Sequence, residues 1–325
     1  MSSLGYNSIV CEKLGSIDDL KLIHRHREKL NKDQIRIKVE ACGINFPDKL
    51  MVEGKYQLKP TLPFTPGMEL SGTVIESNAK GFRNGTNVIA QMRYGGFTEE
   101  VIVNKESVII MPKVFNFEEA AGFSVAAQTA YVSLVERANI QAGNTLLILG
   151  ATGGVGLAAI QLGVMLGAKV IAICSNKKKQ ITAIQAGAKY AFQYDEMINK
   201  VKEVTKNEGV DIIYDPIGGE HFSQSLKVIK WGGKVLIIGF ASGNIPSIST
   251  NYALIKGISL LGVRAGEYFR RYPKKKAPAL KKLFDMANTG NITPLIYKTL
   301  PLSECINALK KIENREVIGR IILKP

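Results

Sequence analysis

Hydrophobic and polar residues alternate along the first third of the chain, which is the pattern of strands with one buried face. The clearest run is QIRIKVEACG at 34–43, and the short β-rich runs LSGTVIES, NVIAQM, FTEEVIVN and SVIIM follow it. Asparagines and glycines separate these runs, as turns require. Several short strands at such close spacing predict a β-barrel or a β-sandwich.

The pattern changes near residue 118. EEAAGFSVAAQTAYVSLVERA has apolar positions at helical spacing and acids in its first turn, so it predicts a helix. The continuous apolar runs TLLILG (145–150) and KVIAIC (169–174) predict parallel strands buried on both faces. Helices are predicted in VGLAAIQLGVMLG, KKQITAIQAGA and HFSQSLKVI, and further strands in YAFQY, GVDIIYDPIGG and GGKVLIIGF. This alternation predicts an α/β fold with a doubly wound parallel sheet.

The last segment contains two predicted helices, APALKKLFDMANTG and SECINALKKIEN, and two strand-like runs, YKTLPL and GRIILKP. It is too short for a core of its own, so we expect it to pack on the N-terminal β-rich unit. A chain of 325 residues is expected to form two domains. We place the β-rich domain at 1–124 and 261–325, and the parallel-sheet domain at 125–260.

A glycine-rich turn lies between the first buried strand and its helix, in TLLILGATGGVGLAAIQ. Its residues Gly150, Gly153, Gly154, Val155 and Gly156 predict a dinucleotide site, because glycines let the backbone approach a pyrophosphate and the helix N-terminus offers free N–H groups. We expect valine at 153 or 156 to abolish binding, by straining the turn or by filling the space of the phosphates.

The end of the second buried strand indicates which dinucleotide binds. An enzyme that prefers NAD places an acid about 20 residues beyond the glycines, whereas here Ser175 and Lys177–Lys179 follow Cys174. Hydroxyl and ammonium groups suit a 2′-phosphate, so the cofactor is expected to be NADPH. The alternative is that these lysines form only a solvated turn in a lysine-rich chain.

Composition excludes several classes of protein. With 46% hydrophobic residues the chain is not disordered. The net charge of +15 fits dispersed surface lysines, and no nucleic-acid module accompanies it, although Arg270–Lys276 keeps that alternative open. Four cysteines without a C-x-x-C pair, and three histidines, do not predict a disulfide framework or a metal site. The start MSSLGYNSIV is unlike a signal peptide, and glycines interrupt the uncharged stretch 145–168, so we expect a cytoplasmic protein without a membrane span.

Segments along nearly the whole chain resemble the zinc-independent quinone oxidoreductase branch of the medium-chain dehydrogenase/reductase superfamily. They are ACGINFPDKL, PFTPGMELSGTV, GGFTEEV, EEAAGFSVAAQTAY, GATGGVG, DPIGG and GRIIL, in the family's order. The resemblance implies a GroES-like catalytic domain built from both chain ends, with a Rossmann domain inserted between them. It also implies a homodimer.

The alcohol dehydrogenases of this superfamily hold catalytic zinc through a cysteine and a histidine, at positions that are Asn45 and Met68 here. Neither side chain is a thiolate or an imidazole, and the four cysteines of the structural zinc lobe are missing, so no metal is expected. Hydride transfer to a quinone or another activated carbonyl needs positioning and oxyanion stabilisation instead of a metal.

The resemblance assigns roles to single residues. Asn45, Tyr56 and Arg264 are expected at the catalytic site, and Asp48 is expected to order the loop after Asn45. Cofactor contacts are expected from the glycine turn and from Asn45, Thr129, Ser175, Lys179, Tyr194 and Phe240. Tyr194 is expected on the adenine-ribose side and Phe240 on the nicotinamide side, whereas His221 is expected to be a surface residue at a helix start.

The implied activity is NADPH-dependent quinone reduction. The same branch includes reductases of enals, enones and enoyl thioesters, so that chemistry is the nearest alternative. A non-catalytic protein that binds NADPH or RNA is a third.

Overall fold

The computed structural model describes residues 5–325. The chain divides into two compact units, the first formed by residues up to Val125 together with Pro294–Pro325, and the second by Ala126–Thr293. No helix among the described residues is both long enough and apolar enough to cross a bilayer.

The first unit is rich in strands. Up to residue 131 the elements are β1 (Gly5–Val10), β2 (Lys21–His26), β3 (Gln34–Gly43), α1 (Phe46–Val52), β4 (Glu69–Ser77), β5 (Asn87–Gln91), β6 (Glu100–Asn104), β7 (Val108–Ile110) and α2 (Phe117–Tyr131). The division between the two units falls within α2. The alternating residues of β3 explain its central place, since Ile35, Ile37 and Val39 are buried in the core.

The second unit alternates strands and helices. After a π-helical turn at Val132–Arg137 come β8 (Thr145–Ile148), α3 (Gly154–Met165), β9 (Lys169–Cys174), α4 (Lys177–Gln185), β10 (Tyr190–Gln193), α5 (Met197–Val204), β11 (Val210–Asp215), α6 (Gly219–Leu226), β12 (Ile229–Ile237), α7 (Thr250–Lys256), β13 (Ser259–Gly262), α8 (Ala265–Arg271) and α9 (Pro273–Asn288). The strands form one parallel sheet in the order β10-β9-β8-β11-β12-β13. The prediction of a doubly wound parallel sheet is confirmed.

The chain then returns to the first unit through β14 (Ile296–Pro301), α10 (Cys305–Glu313) and β15 (Arg320–Lys324). The larger sheet of that unit has the order β14-β15-β3-β4-β5-β7, and β6 pairs with β3. β15 is antiparallel to β3, with Ile322 opposite Gly43. The C-terminal segment therefore forms one end of this sheet, in the unit on which we expected it to pack.

The second crossing between the units differs from the expected one. We expected the return at residue 261, whereas the second unit continues to Thr293. The reason is that β13 extends the parallel sheet beside β12, and the following helices are tied to the same unit. Arg137 donates to the Gly262 carbonyl, and Lys275 pairs with Glu136.

Candidate functional site

The glycine turn joins β8 to α3 at the carboxyl end of the parallel sheet. Gly150 has a positive φ of 57°, and its carbonyl accepts a hydrogen bond from Gly153 N at 3.1 Å. Gly153 is the N-cap residue of α3, and no side chain caps the helix there. The amides of Gly154, Val155 and Gly156 form the first turn, where helix geometry supplies no acceptor. Such a helix start binds phosphate groups through its N–H donors and its dipole.

Three glycines of this turn serve different purposes. A Cβ atom on Gly150 would lie 2.5 Å from Ile217 Cδ1, and the positive φ already favours glycine there. On Gly156 it would lie 2.6 Å from the Gly150 carbonyl oxygen. On Gly153 it would meet only that oxygen, at an ordinary 3.6 Å. Gly156 therefore permits close packing of α3, while Gly153 leaves open space beside the free amides, as a pyrophosphate requires.

The end of β9 presents hydroxyl and ammonium groups. Ser175 is exposed, and Asn176 caps α4 by accepting from Lys179 N at 3.0 Å. The first turn of α4 holds three lysines and no acid. Positive charge at a helix N-terminus is unfavourable for the helix dipole, and a bound anion would offset it. The residues fit a dinucleotide that carries an additional phosphate near Lys179.

Tyr194 contacts the glycine turn, whereas Phe240 contacts the turn that follows β11. The Tyr194 hydroxyl accepts a hydrogen bond from Gly150 N at 2.9 Å. Phe240 lies against Gly218, where a Cβ atom would be 2.9 Å from Phe240 Cδ1. Thr129 lies in α2, where its carbonyl accepts from Ser133 Oγ. The structure thus brings Tyr194 to the turn itself, a contact that the sequence did not predict.

Asp215 holds the turn that follows β11. It is 1% exposed and accepts from Ile217 N at 2.7 Å and from Gly218 N at 2.9 Å. Burial raises the pKa of its carboxyl group. Through Ile217 this turn touches Gly150. DPIGG was recognised only as a family motif, although an acid at the end of a buried strand and before two glycines is a signal for a capped turn.

In the first unit, Asn45 and Asp48 form the start of α1. Asn45 is the N-cap residue, and its backbone N–H donates to Asp48 Oδ2 at 2.8 Å. Asp48 Oδ1 accepts from Gly67 N at 3.2 Å. The Asp48 side chain is fully buried, and burial raises its pKa to about 7. Asp48 therefore joins the start of α1, where we expected a loop after Asn45, to the loop before β4.

The Asn45 side chain belongs to a buried network with Glu69 and Arg320. Its Nδ2 donates to Glu69 Oε1 at 3.0 Å and, at 3.4 Å, to the Gly43 carbonyl. Its Oδ1 accepts from Arg320 Nη1 at 2.9 Å, and Arg320 also pairs with Glu69. The amide hydrogens of Asn45 thus have protein acceptors, so the structure does not present this amide as a donor to substrate.

This network does not fit a catalytic zinc ion. Arg320 places a cation beside the Glu69 carboxylate, and the positions of the family's zinc ligands hold Asn45 and the partly buried Met68. Cys42 donates its Sγ hydrogen to the Gly96 carbonyl, so this buried thiol already has a protein partner. Within residues 5–325, no three His, Cys, Asp or Glu side chains are grouped to hold a metal ion.

The two other expected catalytic residues lie in different units. Tyr56 is half-buried against the core of the first unit, and its backbone N–H donates to the Leu50 carbonyl. Arg264 is the exposed N-cap residue of α8 in the second unit. Among the described residues no acceptor contacts the Arg264 side chain, so its guanidinium is available to an anion or a carbonyl.

Residues 31–113 match the alcohol dehydrogenase GroES-like domain, and residues 154–282 match the zinc-binding dehydrogenase family. The quinone oxidoreductase-like protein 2 homolog of Nematostella vectensis is 34% identical over 328 residues, covering 98% of this chain and 88% of the relative. Human quinone oxidoreductase is 30% identical over 318 residues, covering 96% and 95%. The crystal structure of Escherichia coli quinone oxidoreductase complexed with NADPH superposes with a TM-score of 0.90 at 26% identity, covering 98% of this chain and 100% of that one.

Proposed function

This chain belongs to the quinone oxidoreductase branch of the medium-chain dehydrogenase/reductase superfamily, and we propose that it reduces quinones with NADPH and without a metal ion. One observation carries the proposal. The glycine turn leads into a helix start with open amides, and the next strand ends in Ser175 and lysines instead of an acid. The NADPH complex of the Escherichia coli relative supports the choice of cofactor.

Gly153, Gly154, Val155 and Gly156 would hold the pyrophosphate at the start of α3, and Lys179 would pair with the 2′-phosphate. Thr129 and Phe240 are proposed to line the nicotinamide end of the site. Bound NADPH supplies a hydride from its nicotinamide ring. A quinone that accepts this hydride together with one proton becomes a hydroquinone, so the protein has only to position the acceptor and supply or relay the proton.

We assign Tyr56 and Arg264 to that task. A phenol hydroxyl donates a hydrogen bond or a proton to the reduced oxygen, and a guanidinium neutralises the developing negative charge. Asn45 instead keeps the buried Glu69–Arg320 network in place, because its amide already donates within the protein. The same network supports the proposal that no zinc ion is required. In it the Arg320 guanidinium pairs with the Glu69 carboxylate.

The test is a steady-state panel with NADPH. One arm uses simple ortho- and para-quinones, and the other uses a short 2-alkenal, an enone and an enoyl-CoA. We expect the higher kcat/KM with quinones. A kcat/KM that is higher for the unsaturated carbonyl compounds would assign the chain to the alternative reductase activity, and no turnover in either arm would contradict the proposal.

A homodimer is also proposed, with support from the edge of the parallel sheet. β13 pairs only with β12, and apolar side chains beside it are exposed: Trp231 at 75%, Leu254 at 82% and Ile255 at 70%. Trp231 contacts Gly257 at the end of α7, which places these side chains on one surface. Two such edges related by a two-fold axis pair with each other and cover the surface. Light scattering of wild type and Leu254→Lys tests this assignment. The cytoplasmic location is a separate proposal, supported by the four free, buried cysteines.

A further inference from the structure

The Gly150 amide has a side-chain partner that is distant along the chain. Gly150 N donates to the Tyr194 hydroxyl at 2.9 Å. Tyr194 lies just after β10, at 44 residues' distance along the chain. A hydrogen bond from a distant side chain restricts the turn only as far as that side chain is itself held in place.

His221 holds the Tyr194 ring. The two rings stack with centroids 3.8 Å apart and an interplanar angle of 25°. His221 is in the first turn of α6, at a helix start as expected, and it is half-buried instead of lying fully on the surface. His221 Nδ1 lies 3.3 Å from Gln224 Oε1 on the same helix, which fixes the plane of the imidazole.

A second contact of Gly150 comes from the turn that precedes the same helix. Ile217 touches Gly150, and Asp215 anchors the Ile217 and Gly218 amides immediately before α6 begins. Both supports of Gly150 therefore converge on the start of α6.

We propose that His221 is a positioning residue for dinucleotide binding, and that it acts by stacking on Tyr194 and so fixing the amide of Gly150. The inference rests on the proposed function only in requiring that the glycine turn binds a dinucleotide. Loss of the stack removes one restraint on the Tyr194 ring, so the hydrogen bond from Gly150 N forms in a smaller fraction of the chains. A dinucleotide that binds only one conformation of the turn then has a lower apparent affinity, because only the fraction of chains in that conformation is able to bind it.

The effect belongs to the pyrophosphate turn, so it does not distinguish between cofactors. His221→Ala is expected to weaken NADPH and NADH by the same factor, roughly two- to tenfold, the range that a stacked aromatic pair contributes. At saturating cofactor kcat is expected to stay near that of wild type. His221→Phe keeps a ring on Tyr194 and is expected to restore the affinity for both dinucleotides.

Calorimetric titration with each dinucleotide measures the affinities, and hydrogen–deuterium exchange of the free protein measures protection of the Gly150 amide without any ligand. We expect faster exchange at Gly150 in His221→Ala and Tyr194→Phe, and wild-type exchange in His221→Phe. His26→Ala, which removes an exposed histidine of the other unit, is the matched control. Should His221→Ala not fold, Tyr194→Phe tests the same link, because it keeps the ring and removes the acceptor.

Unchanged affinity and unchanged exchange in His221→Ala would overturn the inference, and so would a failure of His221→Phe to restore them. Wild-type protein that binds neither dinucleotide would refute the proposed function instead. Loss of NADPH affinity alone would assign His221 to the 2′-phosphate and not to the turn.

Discussion

A Cβ atom on Gly156 would lie 2.6 Å from the Gly150 carbonyl oxygen, closer than a real Cβ atom approaches a backbone oxygen. The same test on Gly153 gives an ordinary 3.6 Å contact. Gly153 also has a φ of −71°, which any residue adopts. The expectation that valine at either position strains the turn therefore applies to Gly156 alone.

Gly156→Ala is expected to lower the stability of the protein by about 1–3 kcal/mol, the usual cost of an overpacked site, because helix α3 must shift away from the turn. Gly153→Val is expected to fold with wild-type stability and to lose most of its affinity for NADPH. Thermal unfolding and calorimetric titration separate the two effects. Equal loss of stability in both variants, or wild-type affinity in Gly153→Val, would contradict this division of roles.

Lys179→Ala is expected to raise KM for NADPH by about 10- to 100-fold, because a charge-assisted hydrogen bond contributes about 1.5–3 kcal/mol. KM for NADH is expected to stay nearly unchanged, since NADH lacks the 2′-phosphate. Lys189→Ala is the control, because Lys189 belongs to the same unit and lies over the Tyr190 ring instead. An equal loss with both cofactors would show that Lys179 does not bind the 2′-phosphate.

The buried Asp48 carboxyl makes stability depend on pH. Its pKa is raised to about 7 in the folded protein, above the ordinary 3.8, so the folded state binds more protons than the unfolded state between these values. Stability therefore falls as pH rises from about 4 to 7, by up to about 1.4 kcal/mol per pH unit from this group. Urea unfolding at pH 5 and pH 7 measures the difference. Asp48→Asn is expected to reduce it, and a pH dependence identical to that of wild type would exclude Asp48 as its source.

The acceptor chemistry is tested by Tyr56→Phe and Arg264→Ala. Loss of a preorganised donor costs roughly 2.7–4 kcal/mol in kcat where the reaction needs it. Quinones are strong acceptors, so Tyr56→Phe is expected to slow reduction of a 2-alkenal far more than reduction of a quinone. Arg264→Ala is expected to weaken both through lost positioning. If all rates stay within about twofold, about 0.4 kcal/mol, neither residue is a catalytic donor.

The purified protein is expected to contain no stoichiometric zinc, and chelators are expected not to inhibit it. Arg320 would repel a divalent cation placed beside Glu69. Elemental analysis before and after dialysis against a chelator is the measurement. About one zinc per chain, lost together with activity, would contradict the prediction.

Local patterns predicted the elements well, but not the contacts between distant residues. The alternation of QIRIKVEACG gave β3 at Gln34–Gly43, and the apolar run KVIAIC gave β9 at Lys169–Cys174. The short β13 was missed, because its four residues SLLG are followed by a polar segment and carry no period. Met197–Val204 was missed as a helix, since it has only eight residues and no capping side chain.

In the candidate functional site, too, contacts between residues distant in sequence could not be predicted. Glycine spacing located the phosphate-binding turn because all its residues are adjacent in the chain. Arg320 and Glu69 are 251 residues apart, and no local pattern joins them. The stack of His221 on Tyr194 is invisible in the sequence for the same reason, since it depends on how the segments after β10 and β11 meet.

The position of β15 beside β3 has a consequence for synthesis of the protein on the ribosome. Asn45 and its partner Arg320 are 275 residues apart, and the entire second unit is translated between them. β6 pairs with β3 at Gln34–Lys38, but the end of β3 at Cys42–Gly43 pairs with β15. At about 5–20 residues per second, this end waits for roughly a quarter of a minute to a minute before β15 is made. The parallel-sheet unit, which is continuous in sequence, is able to fold during this interval. The nascent chain thus completes its glycine turn first, and its β-rich unit remains open to mispairing until translation of β15.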